Sequence, residues 1–292
     1  MQYKIVNQST SVSGKVQLTT SKSITNRLLI IQALSKKDFT IYNRSTSKDT
    51  EALLKALKQR TGTTDIGPAG TAMRFLTAYF AQQSKPMVLT GSERMKNRPI
   101  EKLVNALRSL GANIDYTEKK GYPPLAINPG GMTGGEVSID GSISSQYITA
   151  LLLIAPCLPK GLILTIENKL VSEAYVELTL KLMQYMGINY SWTDNQIIIR
   201  PQEYKGKDIT VEADWSSASY WYEIAAFTEN ADLSVYGLSV NSLQGDAAIT
   251  TIFSHLGINT EFREDHVHLT KGSKPVNSLK YDFSRCPDLV QT

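Results

Sequence analysis

Lys22 and Arg27 stand among the hydroxyls of Ser21, Ser23 and Thr25 in "SKSITNR", directly ahead of an apolar run carrying Leu28, Leu29, Ile31 and Leu34. The spacing of those apolar residues predicts a helix, with Ser21 and Ser23 as natural N-cap groups. Free amide hydrogens at a helix start, joined by two cations, can hold an anion. Alone, the stretch reads equally well as a capped surface helix with two solvated cations. The theme recurs. "DIGPAGTAMRFLTAYF" sets Gly67 and Gly70 before Thr71, Arg74 and an apolar helix, so that a ligand can approach bare backbone. "GSERMKNRPIEKLVNAL" gathers Arg94, Lys96 and Arg98 before Pro99, a residue suited to a first helical turn. "GSISSQYITALLL" offers Ser144, Ser145 and Gln146, and "LVSEAYVELTLKLM" offers Ser172 and Tyr175. Singly, the serines are caps, the cations a solvated face and the tyrosine core. Five helix starts of one character point instead to a pocket that collects several anionic oxygens.

The elements that position these residues repeat. "ALRSLGANIDY", "LMQYMGINYSW" and "IFSHLGINTEF" each run from a helix through glycine into a strand, with Gly111, Gly187 and Gly257 spaced by 76 and then 70 residues. Each glycine is expected just past a helix end, in a left-handed conformation. A further strand and a turn into a helix are expected after each, in "EVSIDGSISSQYITALLL", "DITVEADWSSASYWYEIAAF" and "SLKYDFSRCPDLVQT". The fold class is α+β, assembled from α/β repeats of roughly seventy residues. The third copy stops at "CPDLVQT", where its second helix is expected to begin, so the chain is expected to belong to a longer protein.

With 292 residues, 41% hydrophobic and 20% charged, the chain has material for two globular domains. No apolar run reaches the eighteen or so residues of a membrane span, and the start lacks a signal-peptide core, so the default compartment is the cytoplasm. Two cysteines exclude a disulfide framework, and Cys157, inside "ALLLIAPCL", reads as core. A net charge of +4 suits small anions but is too mild for nucleic acid, and no aromatic-and-basic stripe supports base stacking. His266 and His268 alternate on a predicted strand and His255 sits on a helix, without the acidic or cysteine companions that zinc wants.

The ordered set "SKSITNR", "AGTAMR", "GSERMKNRPI", "YPPL", "GSISSQ", "VEADWSSASY" and "CPD", running from Ser21 to Asp288, resembles the EPSP synthase (3-phosphoshikimate 1-carboxyvinyltransferase) family. The resemblance implies two similar domains of βαβαββ units with three-fold pseudo-symmetry and the active site between them. The first domain would span residues 21–212. The second, incomplete here, would take residues 1–20 and 213–292. It also implies a transferase on the route to chorismate and the aromatic amino acids, a target of glyphosate, monomeric and without metal or organic cofactor. In the family reaction the 5-hydroxyl of shikimate 3-phosphate adds to C2 of phosphoenolpyruvate as its methylene carbon is protonated. The tetrahedral intermediate then loses phosphate. By motif match Lys22 would contact phosphoenolpyruvate and shuttle a proton, while Ser23 and Arg27 hold the shikimate carboxylate. Ser144, Ser145 and Ser172 would hold the shikimate phosphate, with Gln146 beside the ring and Tyr175 nearby. Gly70, Thr71 and Arg94 would face phosphoenolpyruvate. Asp288 would act as general base, kept ionised by surrounding cations.

Departures from the family pattern are Pro68, where asparagine is usual, Phe75, where proline is usual, and a short link before "AGTAMR". The family's later cationic motifs fall outside the 292 residues, so this chain alone is expected to show little or no turnover. Two other readings compete. A UDP-N-acetylglucosamine enolpyruvyl transferase would share the architecture but opens on "KN" and uses a loop cysteine, which neither Cys157 nor Cys286 matches. A non-catalytic anion-binding module would bind without chemistry.

Overall fold

The computed structural model describes residues 10–59, 61–272 and 275–292, and the chain falls into two compact units, Lys22–Val211 and Met1–Ser21 with Glu212–Thr292. In the larger unit the strand Gly62–Asp65 runs parallel to Met87–Thr90, which pairs antiparallel with Leu125–Asn128 and through it with Asn113–Tyr116. The second sheet repeats this order: Gly135–Asp140 is parallel to Leu162–Glu167, and Gln196–Ile199 and Ser191–Thr193 follow antiparallel. A two-stranded parallel sheet, Ile41–Tyr42 with Ile209–Thr210, completes the unit. The smaller unit holds one sheet of the same design, Ser11–Gln17, Asn230–Tyr236, His266–Lys271 and Ile258–Phe262. A parallel pair requires a crossover, and helices supply it: Gly70–Ala81 joins the first two strands of one sheet and Ser145–Ile154 those of the next.

Two kinds of helix result. Lys22–Leu34, Gly70–Ala81 and Ser145–Ile154 are buried on nearly every face, the first enclosing Thr25, Asn26 and Arg27 along with its apolar residues, and all three contact one another. Lys48–Lys58 and Glu101–Ser109 are amphipathic and bury only one stripe, Leu53 and Ala56 in the first, Leu103, Val104 and Leu107 in the second. The glycines expected beyond the helix ends have φ of 101° at Gly111, 88° at Gly187 and 81° at Gly257. Each donates its amide back to the last turn, Gly111 to Arg108 at 3.0 Å and Gly187 to Gln184 at 2.9 Å.

The third copy differs from its expectation. Residues 277–282 form no strand, and Pro287–Leu289 is a single 3-10 turn. The corresponding strands, Gly135–Asp140 and Ile209–Thr210, each rest on a parallel partner, and none lies beside 277–282 among the described residues. Pro99, expected in a first helical turn, precedes the helix that Ile100 opens. Cys157 is exposed rather than core, because the apolar helix ends at Ile154 and the residue falls on the 3-10 turn beyond. Two of the three histidines do have acidic neighbours: His268 lies 2.7 Å from Asp232 and 3.6 Å from Glu261, and His266 2.6 Å from Asp265. No group of three or more potential metal ligands forms among the described residues. No helix is long and apolar enough to cross a membrane.

Candidate functional site

Arg27 is the centre of the larger unit's polar interior. Its guanidinium is 3% exposed, and burial pulls its pKa down to about 10 against the weak opposing influence of Tyr175. Nε donates to Thr179 Oγ1 at 2.8 Å, Nη1 to the Ser23 carbonyl at 2.9 Å and Nη2 to the Tyr175 carbonyl at 3.2 Å. The guanidinium lies 5.7 Å from the ring centroids of both Phe75 and Tyr175. Phe75, the departure from proline, thus packs under the cation, fully buried. Thr179 Oγ1 donates a hydrogen bond to the Tyr175 carbonyl at 2.7 Å and meets Thr149 at 3.2 Å, so the helices Ser145–Ile154 and Glu173–Tyr185 lock together around the charge. Arg27 has three neutral oxygens and two rings as partners, and no carboxylate pairs with it among the described residues. A buried cation so placed is a standing attraction for an anion.

Two of the other helix starts are joined side chain to side chain. Gln146 Nε2 donates to Thr71 Oγ1 at 3.4 Å, and the Ser144 hydroxyl accepts from the Gln146 amide at 3.3 Å. Arg74 is tied to the same corner, through the Gly70 carbonyl at 3.2 Å and the Pro99 carbonyl at 3.2 Å; Tyr147 donates to Pro99 at 2.6 Å. Ser145 is buried. Ser172 shows that a cap reading fails there. Its side chain makes no capping bond, and its backbone sits at φ 56°, a conformation that a serine adopts at a cost of about 1 kcal/mol or more. Lys22 reaches Asp49 Oδ2 at 3.5 Å, a weak pair whose lysine side chain is 45% exposed. Arg94, exposed on the short helix Glu93–Lys96, has no ion pair among the described residues.

Asp288 belongs to the smaller unit, exposed on its 3-10 turn. One of its neighbours is itself a carboxyl. The Asp246 carboxyl stands close enough for the two charges to repel, and Asp214, the N-cap of the helix Trp215–Phe227, adds to that repulsion. Asp246 is buried and accepts from the Ser216 hydroxyl. Burial first, then Asp288 and Asp214, push its pKa up to about 6, against the hydrogen bond from Ser216.

A family profile described as EPSP synthase (3-phosphoshikimate 1-carboxyvinyltransferase) matches residues 6–64 and 61–292. The 3-phosphoshikimate 1-carboxyvinyltransferase of Bacteroides fragilis is 46% identical over 289 residues, which is 99% of this chain and 70% of that protein. The chain belongs to the EPSP synthase family. The Sulfurovum protein of the same name is 39% identical over 313 residues, 96% of this chain and 72% of the relative. The fold is that of EPSP synthase from Acinetobacter baumannii, with a TM-score of 0.73 at 21% identity, over 90% of this chain and 65% of that one. The chain therefore spans about two thirds of the solved EPSP synthase chain and 70% of its B. fragilis relative. EPSP synthases are transferases that move the enolpyruvyl group of phosphoenolpyruvate to shikimate 3-phosphate.

Several residues that the structure singles out in each unit of this EPSP synthase family member escape a reading of the sequence. Thr179 and Asp49 sit in ordinary helical patterns, and only their partners reveal them. Asp246, in "NSLQGDAA", has the look of a surface turn yet is 4% exposed. Arg74 and Arg98 are visible as cations, but nothing in their spacing shows that they approach each other.

Proposed function

We propose that the protein containing this chain transfers the enolpyruvyl group from phosphoenolpyruvate to the 5-hydroxyl of shikimate 3-phosphate, with residues 22–211 as the ground for the acceptor. The observation that carries the reading is Arg27, a buried guanidinium without a carboxylate partner among the described residues, framed by Ser23 and Tyr175. A shikimate carboxylate supplies the missing countercharge, with Ser23 and Tyr175 beside it. Ser144, Ser145 and Ser172 receive the phosphate, and Gln146, held against Thr71, flanks the ring. Gly70, Thr71, Arg94 and Lys22 face phosphoenolpyruvate. Asp288 takes the 5-hydroxyl proton as that oxygen bonds to C2, and Lys22 serves proton transfer at the methylene carbon. Collapse of the tetrahedral intermediate then breaks the C2–O bond to phosphate. The reading includes a monomer working in the cytoplasm, which sedimentation and cell fractionation check.

Calorimetric titration of this chain with shikimate 3-phosphate tests the assignment. Binding at one site per chain is expected, and Ser172→Ala is expected to weaken it about tenfold, the cost of one charge-assisted hydrogen bond. Absence of shikimate 3-phosphate binding by the folded chain would overturn the reading.

A further inference from the structure

The Lys22 side chain is half exposed and its pair with Asp49 is long, so the backbone on either side does most to set where its ammonium stands. On the C-terminal side the Ser23 carbonyl accepts from Arg27 Nη1 at 2.9 Å, and Arg27 is itself fixed by Thr179 at 2.8 Å. On the N-terminal side Ser21 is fully buried. Its amide donates to the Glu212 carbonyl at 3.0 Å, and its hydroxyl, expected as a cap, donates instead to Gln244 Oε1 at 3.0 Å.

Gln244 lies 223 residues away in the chain and is buried as well. Its Oε1 also accepts from the Trp215 amide at 3.2 Å, and its Nε2 donates to the Ala213 carbonyl at 2.8 Å. An amide N–H only donates and a carbonyl only accepts, so these two partners dictate which way the side chain points. The Gln244 amide donates to Ser242 Oγ at 3.0 Å, and that hydroxyl donates to Glu212 Oε1 at 2.6 Å, which closes the network on the residue that receives Ser21. One side chain thereby holds two segments that already lie antiparallel. Thr20 bridges Ala213, and the Asp214 amide donates to the Thr19 carbonyl at 2.9 Å. Such a network adds little net stability over a well-packed apolar side chain; what it supplies is a single arrangement of the groups it joins.

We infer that Gln244 is a positioning residue for Lys22: by holding Ser21 and the segment 213–215 at once, it fixes the backbone from which the lysine projects. The inference rests on the proposed function for the role of Lys22 itself. Gln244 touches no substrate in this reading and acts only through Ser21.

The test reads catalysis and acceptor binding separately. In the protein containing this chain, Gln244→Met is expected to lower kcat/KM for phosphoenolpyruvate at least about tenfold, as a displaced proton-transfer group does. Shikimate 3-phosphate affinity, by calorimetry on the chain, is expected to stay within about twofold, because Ser23 keeps its bond to Arg27. Ser21→Ala removes one hydroxyl and leaves Gln244 bonded to Trp215 and Ala213, so the fold is kept. About a threefold loss of the same kcat/KM is expected from it. Hydrogen exchange on the chain gives a readout independent of turnover: the Ser21 amide is expected to exchange faster in both variants, with the strand Asn230–Tyr236 unchanged. Undiminished kcat/KM in Ser21→Ala, or equal loss of both substrates in Gln244→Met, would overturn the inference. An unmodified protein without transferase activity would strike the proposed function instead, and unchanged Ser21 exchange would then overturn this inference as well.

Discussion

Replacing Arg27 by methionine is expected to weaken shikimate 3-phosphate binding at least about a hundredfold while leaving the unfolding free energy within about 1 kcal/mol of its starting value. The binding loss follows from desolvation. The guanidinium is already out of water, so its attraction for a carboxylate is poorly screened, and removing one partner of such a pair typically costs about 2–5 kcal/mol. The stability result follows from two nearly equal terms. Burial holds the Arg27 pKa down at about 10, well below the ordinary value of a guanidinium, which at neutral pH corresponds to a folding penalty of about 3 kcal/mol. The sign is that of a base whose folded pKa is depressed, with the penalty fully present below about pH 10. Methionine removes that penalty and also removes three hydrogen bonds worth about 1 kcal/mol each. Urea unfolding alongside calorimetry separates the outcomes. A variant that loses several kcal/mol of stability would make Arg27 a structural strut rather than a binding residue.

Asp246→Asn is expected to stabilise the smaller unit by about 2 kcal/mol at pH 8 and to have almost no effect near pH 4. The Asp246 pKa of about 6 lies above the ordinary 3.8, because the carboxyl is buried beside Asp288 and Asp214. Between those two values the folded chain holds the extra proton, so stability falls as pH rises. Above about pH 6 both states are ionised and the full penalty, about 3 kcal/mol, is in force. Asparagine keeps an acceptor for the Ser216 hydroxyl and carries no charge, so most of that penalty disappears. The groups facing position 246 are Asp214 and Ser216 from the helix Trp215–Phe227, and Asp288 and Cys286 from the C-terminal turn. Unfolding followed by tryptophan fluorescence in a Trp192→Phe background, which keeps only Trp215 and Trp221 of the smaller unit, reads that unit. A pH-independent difference between the two chains would show that Asp246 is neutral throughout or ionised without penalty.

Much of the fold is legible because its signals are local. A glycine two residues past a helix has few structural meanings, and Gly111, Gly187 and Gly257 carry the same one. The same holds for the predominantly apolar runs of Gly70–Ala81 and Ser145–Ile154. What depends on a distant partner is not legible. "SLKYDF" has the composition of a strand, but strand pairing is a property of two segments, and the second is missing among the described residues. The helix-start hydroxyls are legible as a class, whereas their roles divide only in the structure: Ser144 caps, Ser21 donates to Gln244, and Ser172 does neither from a strained backbone. Phe75 is a mismatch in the motif until the Arg27 guanidinium is seen over its ring. Asp246 is unreadable because four small or polar neighbours conceal a buried carboxyl.

The all-round burial of the two crossover helices has an evolutionary consequence. A helix with one buried stripe, such as Lys48–Lys58, leaves its remaining positions free to drift. Gly70–Ala81 and Ser145–Ile154 leave almost none, since nearly every side chain on them is enclosed. A saturation scan should find two continuous stretches where few replacements are accepted, beginning at the residues proposed to hold substrate. Variation able to retune the pocket then has to enter from outside those helices, through positions such as Arg98 and Asp49 that reach the helix starts from neighbouring segments.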